Sequence, residues 1–134
     1  MKMKKNIIIA AIALATSCIS GYAQEKLSNG LELDKAVHNF GDVMLADGPV
    51  TCEFTLTNKG KSPAVIYNVT TTCGCTDVEW TREPIRPGAK GKISVTYSND
   101  EGPYPFDKSV TVYLSDMKKP IILKLRGVSI EKKK

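Results

Sequence analysis

Cys73 and Cys75 are the residues of this chain whose type and spacing best suit chemistry. They flank Gly74, and in an extended strand two residues at this spacing point to one face with Cα atoms about 6.6 Å apart. A disulfide tolerates Cα separations up to about 6.8 Å, and a glycine between the cysteines can bring them closer. Two thiolates at this spacing also suit a soft metal such as Cu(I). The pair therefore predicts either a Cys73–Cys75 disulfide or a metal site at Cys73 and Cys75.

A structural role for the cysteines is the main alternative. Cys52 lies in an alternating apolar and polar segment that should direct it inward, where it could form a disulfide with Cys73 or Cys75. Zinc usually takes four ligands, and nothing in the spacing brings Cys52, His38 or an acidic residue to the pair. The sequence has no Cys-x-x-Cys motif of the kind that lowers a thiol pKa at a helix N-terminus.

The other candidates for chemistry are weaker. Trp80 is a candidate interaction surface, because exposed aromatic residues often anchor partners, although packing within a sheet is the commoner role. His38 is the only histidine, and catalysis by one histidine requires a nucleophile beside it. The sequence contains no Gly-rich phosphate loop, no G-x-S-x-G and no H-E-x-x-H. We therefore expect no enzyme, and no cofactor apart from Cu(I) in the metal alternative.

Residues 1–23 are typical of a cleavable signal peptide. A lysine-rich start precedes a short apolar stretch, and small residues before Gln24 favour cleavage at that point. The segment ending at Cys18 also resembles a lipobox, in which case Cys18 would be lipidated and would anchor the protein to a membrane. We expect an exported protein, periplasmic or extracellular, without a transmembrane helix after cleavage; a lipoprotein anchored at Cys18 is the alternative.

The net charge and the length limit the function and the number of domains of the rest of the chain. The formal net charge of +5 comes largely from lysines in the leader and at the C-terminus, so no basic face indicates nucleic-acid binding. The chain beyond the leader is long enough for one domain with its own core. The predicted organisation is a polar lead-in at 24–31, a domain at 32–128 and a basic tail at 129–134.

The elements that must position the cysteines are β-strands. Apolar and polar residues alternate in short segments separated by turns, and no sustained helical pattern occurs after the leader. The clearest segments are 37–43, 50–57, 64–72, 93–97, 109–114 and 121–126. Pro87-Gly88 fits the centre of a type II turn. About seven strands at this spacing predict an all-β, immunoglobulin-like sandwich.

Four motifs occur in an order that resembles a known family. They are Phe40–Val43, Phe54–Gly60, the Cys-Gly-Cys-Thr element at 73–76 and Pro84–Gly88. The chain is identified over residues 32–128 as similar to a bacterial exported family of unknown function (number fifteen seventy-three). That family in turn resembles the Hydin-type and major-sperm-protein-type immunoglobulin-like domains. The resemblance implies a seven-stranded sandwich in the cell envelope and implies no activity.

The sequence supports two functional hypotheses. The first is a non-catalytic binding or structural module of the bacterial envelope, which takes a protein partner at an edge strand, with the first or last strand as the expected edge. The second is a Cu(I)-binding or thiol-redox protein that works through Cys73 and Cys75. Exposed thiols would favour the second hypothesis.

Overall fold

The computed structural model describes residues 25–27, 30–115 and 117–131, so the predicted signal peptide, Cys18 and the last three lysines lie outside the described part. Nine strands are described, of which seven have five or more residues. They are β1 (Glu25–Lys26), β2 (Leu31–Leu33), β3 (Val37–Met44), β4 (Val50–Asn58), β5 (Ile66–Thr71), β6 (Thr76–Trp80), β7 (Lys90–Tyr97), β8 (Pro105–Leu114) and β9 (Ile121–Ile130). A 3₁₀ turn, Leu45–Asp47, joins β3 to β4.

The strands form two sheets that enclose one core. The five-stranded sheet has the order β1-β2-β4-β7-β6, and the four-stranded sheet has the order β3-β9-β8-β5. β3 runs parallel to β9, whereas the other pairs are antiparallel. The predicted all-β, immunoglobulin-like sandwich is confirmed. In the described residues no helix is long and apolar enough to cross a membrane.

The alternation that predicted the strands also fills the core. In β4, Cys52, Phe54 and Leu56 are buried, and the residues between them point outward or lie half-buried. Phe54 and Leu56 are fully buried, and burying one such side chain contributes about 1.5–3 kcal/mol. The inward residues of β7, β8 and β9 complete the same apolar cluster.

The predicted turns are present. The amide of Ala89 donates to the carbonyl oxygen of Arg86 at 2.8 Å, and Gly88 has φ of +87°, as a type II turn centred on Pro87-Gly88 requires. In β3, Gly41 has φ of +72° at a shift in the pairing with β9. A bulge of this kind bends the strand that carries it.

The strands at the two ends of the domain are β2 and β9. Leu31 is buried in β2. β9 continues to Ile130 and buries Ser129. β9 also lies between β3 and β8, and the expectation that the last strand is an edge is wrong. It is wrong because the parallel pairing with β3 covers its outer side.

Candidate functional site

Cys73, Gly74 and Cys75 form the turn between β5 and β6. A disulfide joins the two cysteines, whose Cα atoms are 5.1 Å apart. This separation is shorter than the roughly 6.6 Å of an extended strand, because the chain leaves the extended conformation at Gly74. The structure therefore confirms the alternative in which the pair forms its own disulfide.

Two threonines fix the conformation of this turn. The hydroxyl groups of Thr71 and Thr76 both donate to the carbonyl oxygen of Cys73, at 3.1 and 3.0 Å. The amide of Thr76 approaches the same oxygen at 3.3 Å. The amide of Cys75 points at Sγ of Cys73 from 3.1 Å, so one sulfur of the disulfide accepts a main-chain hydrogen bond. Both cysteines are half-buried, which leaves the disulfide accessible at the surface.

Cys52 does not take part in this site. It is 6% exposed on the inward face of β4, and among the described residues it is the free cysteine. The expected disulfide between Cys52 and Cys73 or Cys75 is therefore wrong, because those two residues pair with each other. Burial in the apolar core raises the pKa of the Cys52 thiol to about 11.

Glu101 lies beside the disulfide. It belongs to the loop between β7 and β8, and its Oε2 is 3.8 Å from Sγ of Cys73. One potential ligand atom from each of Cys73, Cys75 and Glu101 lies within 4.8 Å of the others, the one such cluster within 25–27, 30–115 and 117–131. The sequence does not link Glu101 to the cysteine pair, because 28 positions separate it from Cys73 and no local pattern connects them.

Two residues hold the carboxylate of Glu101 in place. The hydroxyl of Tyr97 donates to Oε1 at 2.9 Å, and Nζ of Lys108 lies 2.7 Å from the same oxygen. These hydrogen bonds lower the pKa of Glu101, and the one from Lys108 contributes most. Burial, together with the carboxylate beside it, raises the pKa of Tyr97 to about 12. Because Oε1 has both partners, Oε2 is the oxygen directed at the sulfur.

The loop that carries Glu101 is anchored in the core by Asn99. Asn99 is buried with φ of 58°, and its Nδ2 donates to the carbonyl oxygens of Met44 and Gly48, both at 2.9 Å. Its Oδ1 accepts a hydrogen bond of 2.6 Å from the hydroxyl of Ser129. These contacts fix the start of the loop and, through it, the approach of Glu101 to Cys73.

Trp80 lies half-buried on β6 and packs against the core. Its Nε1 donates to the carbonyl oxygen of Ile66 on β5 at 3.3 Å, and the guanidinium of Arg82 lies 3.8 Å from the centre of its ring. One edge of the ring borders a shallow, open depression that Glu79 and Lys92 also line. The indole thus bridges the two sheets, and only part of it is available to a partner.

His38 lies half-buried on β3, away from the cysteine turn in the fold. Nζ of Lys35 donates to its Nδ1 at 3.0 Å. Burial and the charge of Lys35 lower the pKa of His38, so the imidazole is neutral at pH 7. It has an aromatic neighbour, Phe40, at 4.5 Å between ring centroids, which indicates a packing role.

Comparison with solved structures places the fold in a class. The chain is similar to the PapD-like domain 7 of human CEP192 (TM-score 0.63, 11% identity, 96% of this chain and 100% of that chain). It is also similar to WR4, an MSP family member from C. elegans (TM-score 0.57, 13% identity, 75% and 99%). A protein of unknown function from Porphyromonas gingivalis W83 matches as well (TM-score 0.63, 18% identity, 76% and 49%). The protein is thus an immunoglobulin-like β-sandwich, and it spans about half the length of the P. gingivalis chain.

The family is established by the sequence itself. The family model described as "Protein of unknown function (DUF1573)" matches residues 31–129, and the chain belongs to this family. No curated protein matches the chain. Membership of this family of unknown function, which the resemblance predicted, is confirmed.

Proposed function

We propose that the domain is a non-catalytic binding module of the bacterial cell envelope that takes up an extended segment of a partner protein at the free edge of β6. The fold is one whose sheets can accept an additional strand. The observation that carries the proposal is the arrangement of main-chain hydrogen-bonding groups along β6.

The direction of these groups is set by the ladder between β6 and β7. The amide of Ser98 donates to the carbonyl oxygen of Cys75 at 2.8 Å, and the amide of Thr81 donates to that of Lys92 at 3.0 Å. Residues 75 and 81 therefore direct their peptide groups toward β7. In an antiparallel ladder this direction alternates, so residues 77 and 79 also point toward β7. The peptide groups of Val78 and Trp80 therefore point away from β7, in the plane of the sheet. A partner strand would bind to them along this edge.

The side chains of β6 indicate what kind of segment fits. Asp77 and Glu79 are exposed on the outer face of the sheet, while Val78 and Trp80 pack inward. Charged residues on an edge strand disfavour pairing with a second copy of the same strand. They favour a partner strand with Lys or Arg at the positions opposite Asp77 and Glu79. A basic, extended peptide segment is therefore the expected ligand.

Site-specific photo-crosslinking in envelope preparations tests this proposal. A photoreactive residue at Asp77 should give a discrete crosslinked partner, and Val78→Pro should abolish it, because proline removes an outward amide and blocks strand addition. Glu83→Pro is the matched control, since it places a proline in the exposed loop beyond β6. An equal yield of the crosslink in wild type and Val78→Pro, with both proteins folded by circular dichroism, would refute binding at β6.

A second candidate function is supported by the disulfide itself. A half-exposed disulfide closing so small a loop is of the kind used in reversible thiol chemistry, and its reduced form would present two thiols to Cu(I). Competition with a Cu(I)-specific chelator under reducing conditions tests this. The Cys73→Ser, Cys75→Ser variant should lose Cu(I) binding. If the variant competes as well as the parent protein does, the candidate fails.

We further propose export with cleavage before Gln24, supported by the composition of residues 1–23. Intact mass of protein purified from envelope fractions measures the start of the mature chain. A mass that begins at Gln24 supports cleavage of a signal peptide. A mass that begins at a lipidated Cys18 establishes the lipoprotein alternative, and unprocessed protein in the cytoplasm would contradict both.

A further inference from the structure

We propose that reduction of the Cys73–Cys75 disulfide creates a binding site for Zn²⁺ in which Glu101 supplies the third protein ligand. The cysteine pair alone was considered above for Cu(I), and the proposal adds a residue from a different loop and a different metal. It does not depend on partner binding at β6, but it does require that the disulfide can be reduced.

The distances match the coordination geometry of zinc. Zinc binds sulfur at about 2.3 Å and carboxylate oxygen at about 2.0–2.2 Å, so in a tetrahedral site neighbouring sulfur and oxygen ligands lie roughly 3.5 Å apart. Oε2 of Glu101 is 3.8 Å from Sγ of Cys73, and all three ligand atoms lie within 4.8 Å of one another. Two sulfurs bound to one zinc lie roughly 3.8 Å apart, which Cα atoms at 5.1 Å permit after rotation of the side chains.

Lys108 balances the charge of such a site. Two thiolates and the Glu101 carboxylate carry three negative charges, and Lys108 is bonded to Glu101 at 2.7 Å. With one Zn²⁺ the cluster is neutral, whereas one Cu(I) would leave a negative charge. Lys108 and Tyr97 both bind Oε1, so they orient Glu101 and leave Oε2 free for the metal. A residue that holds a ligand in this way is typical of metal sites.

The donor set also discriminates between the two metals. Zinc accepts a mixture of thiolate and carboxylate ligands, and three protein ligands with solvent in the fourth position form a common open site. Cu(I) prefers soft sulfur ligands and gains little from a carboxylate. Glu101 should therefore matter for Zn²⁺ and should have little influence on Cu(I).

The redox step requires an external two-electron reductant, such as a dithiol. Attack by one thiolate of the dithiol on the disulfide, followed by internal exchange, oxidises the dithiol to its own disulfide. Cys73 and Cys75 together receive two electrons and take up two protons. Binding of Zn²⁺ then releases both protons, because thiolate is the ligand form. In the oxidised protein Cys73 and Cys75 are joined and offer no thiolate, so the site should not bind the metal.

Metal competition on the purified chain tests the proposal. The protein is reduced with a phosphine, which does not itself bind zinc as a dithiol does, and titrated with Zn²⁺ against a chromophoric chelator. We expect one Zn²⁺ per reduced chain and none in the oxidised chain. Glu101→Gln should weaken Zn²⁺ binding by roughly tenfold or more, on the scale seen when metal-site residues are altered. Glu83→Gln, at an exposed position outside the cluster, is the matched control and should bind as wild type does.

Each contrary result is decisive. Equal Zn²⁺ affinity of Glu101→Gln and wild type overturns the role of Glu101. Equal binding by oxidised and reduced protein overturns the role of the thiols. Binding of Cu(I) without Zn²⁺ also overturns this inference, yet it leaves the second candidate function intact. Near-ultraviolet circular dichroism of the variants shows whether the fold is retained, and Glu101→Asp, which keeps the carboxylate, provides a second variant in which part of the affinity should return.

Discussion

The indole Nε1 of Trp80 donates a hydrogen bond of 3.3 Å to the main-chain oxygen of Ile66. Trp80 belongs to β6, the edge of one sheet, and Ile66 belongs to β5, the edge of the other. The two open edges are thus tied together on the same side of the sandwich, at the ends of β5 and β6 that are farthest along the chain from the cysteine turn.

Replacing Trp80 with Phe should destabilise the domain by about 1–2 kcal/mol, because the oxygen of Ile66 loses its donor and the ring loses volume. For a domain of this size the melting temperature should fall by roughly 4–8 °C per kcal/mol. Thermal unfolding followed by circular dichroism measures the change. Tryptophan fluorescence is unsuitable, because Trp80 is the only tryptophan of the chain and the variant lacks it. Tyr67→Phe, at a side chain that is 62% exposed, is the control and should leave the melting temperature unchanged.

Substitution of Asn99 should lower the free energy of unfolding for two separable reasons. Asn99→Gly keeps the positive φ but removes the side-chain bonds to Met44, Gly48 and Ser129, and it should cost about 1–3 kcal/mol. Asn99→Ala removes the same bonds and adds about 1–2 kcal/mol for a left-handed residue with a Cβ atom. Denaturant unfolding of both variants measures the difference. If alanine and glycine cost the same, conformational strain at position 99 plays no part.

Cys52 should be unreactive in the native protein. Its pKa of about 11 against an ordinary 9.0 lowers the thiolate fraction near neutral pH by roughly a hundredfold, and burial adds to this protection. After reduction, iodoacetamide should modify Cys73 and Cys75 first, as read from intact and fragment masses. Guanidinium-unfolded protein is the reference, in which Cys52, Cys73 and Cys75 should all react. Rapid native labelling of Cys52 would show that β4 is accessible.

Glu101 should make the free energy of unfolding depend on pH in the acid range. Its pKa in the folded protein lies below the ordinary 4.5, so the unfolded chain takes up the proton first as the pH falls. The stabilisation from ionised Glu101 is therefore fully present above about pH 4.5 and is lost as the pH falls through the folded-state pKa.

Unfolding free energies of wild type and Glu101→Gln, measured from about pH 7 down to about pH 3, check this dependence. Wild type should be the more stable at neutral pH, and the difference should shrink in acid. The profile of Glu83→Gln should run parallel to that of wild type. A difference between wild type and Glu101→Gln that does not change with pH would mean that the charge of Glu101 contributes nothing to folding.

The strands that alternate over many residues were predictable, and the short ones were not. β4 has four apolar residues at alternate positions, and this period of two is enough to predict which of its faces points inward. β6 has the same alternation, in which Thr76, Val78 and Trp80 alternate with Asp77 and Glu79. It covers only five residues, however, and comes directly after the cysteine turn. β2 was missed because its three residues gain their stability from pairing with β4, which no local pattern reports.

The candidate site was half predictable. The spacing of Cys73 and Cys75 around a glycine indicated their disulfide, because the geometry of neighbouring residues is local. The approach of Glu101 depends on Asn99, whose partners Met44 and Ser129 lie in β3 and β9 and are 55 and 30 positions away from it. Such a contact is a property of the assembled sandwich, and single-sequence patterns hold no information on it.

The parallel pairing of β3 with β9 has a consequence for the order in which the chain can fold. In this pairing Val37 lies opposite Lys124 and Met44 lies opposite Ile130. β3, near the start of the domain, therefore cannot pair until β9 has been synthesised. β9 is also the inner neighbour of β8, and Ser129 completes the bonds of Asn99. Non-local contacts of this kind slow folding and cannot form while the C-terminal strand is still being synthesised. During synthesis the domain therefore remains incompletely folded until its final strand has left the ribosome.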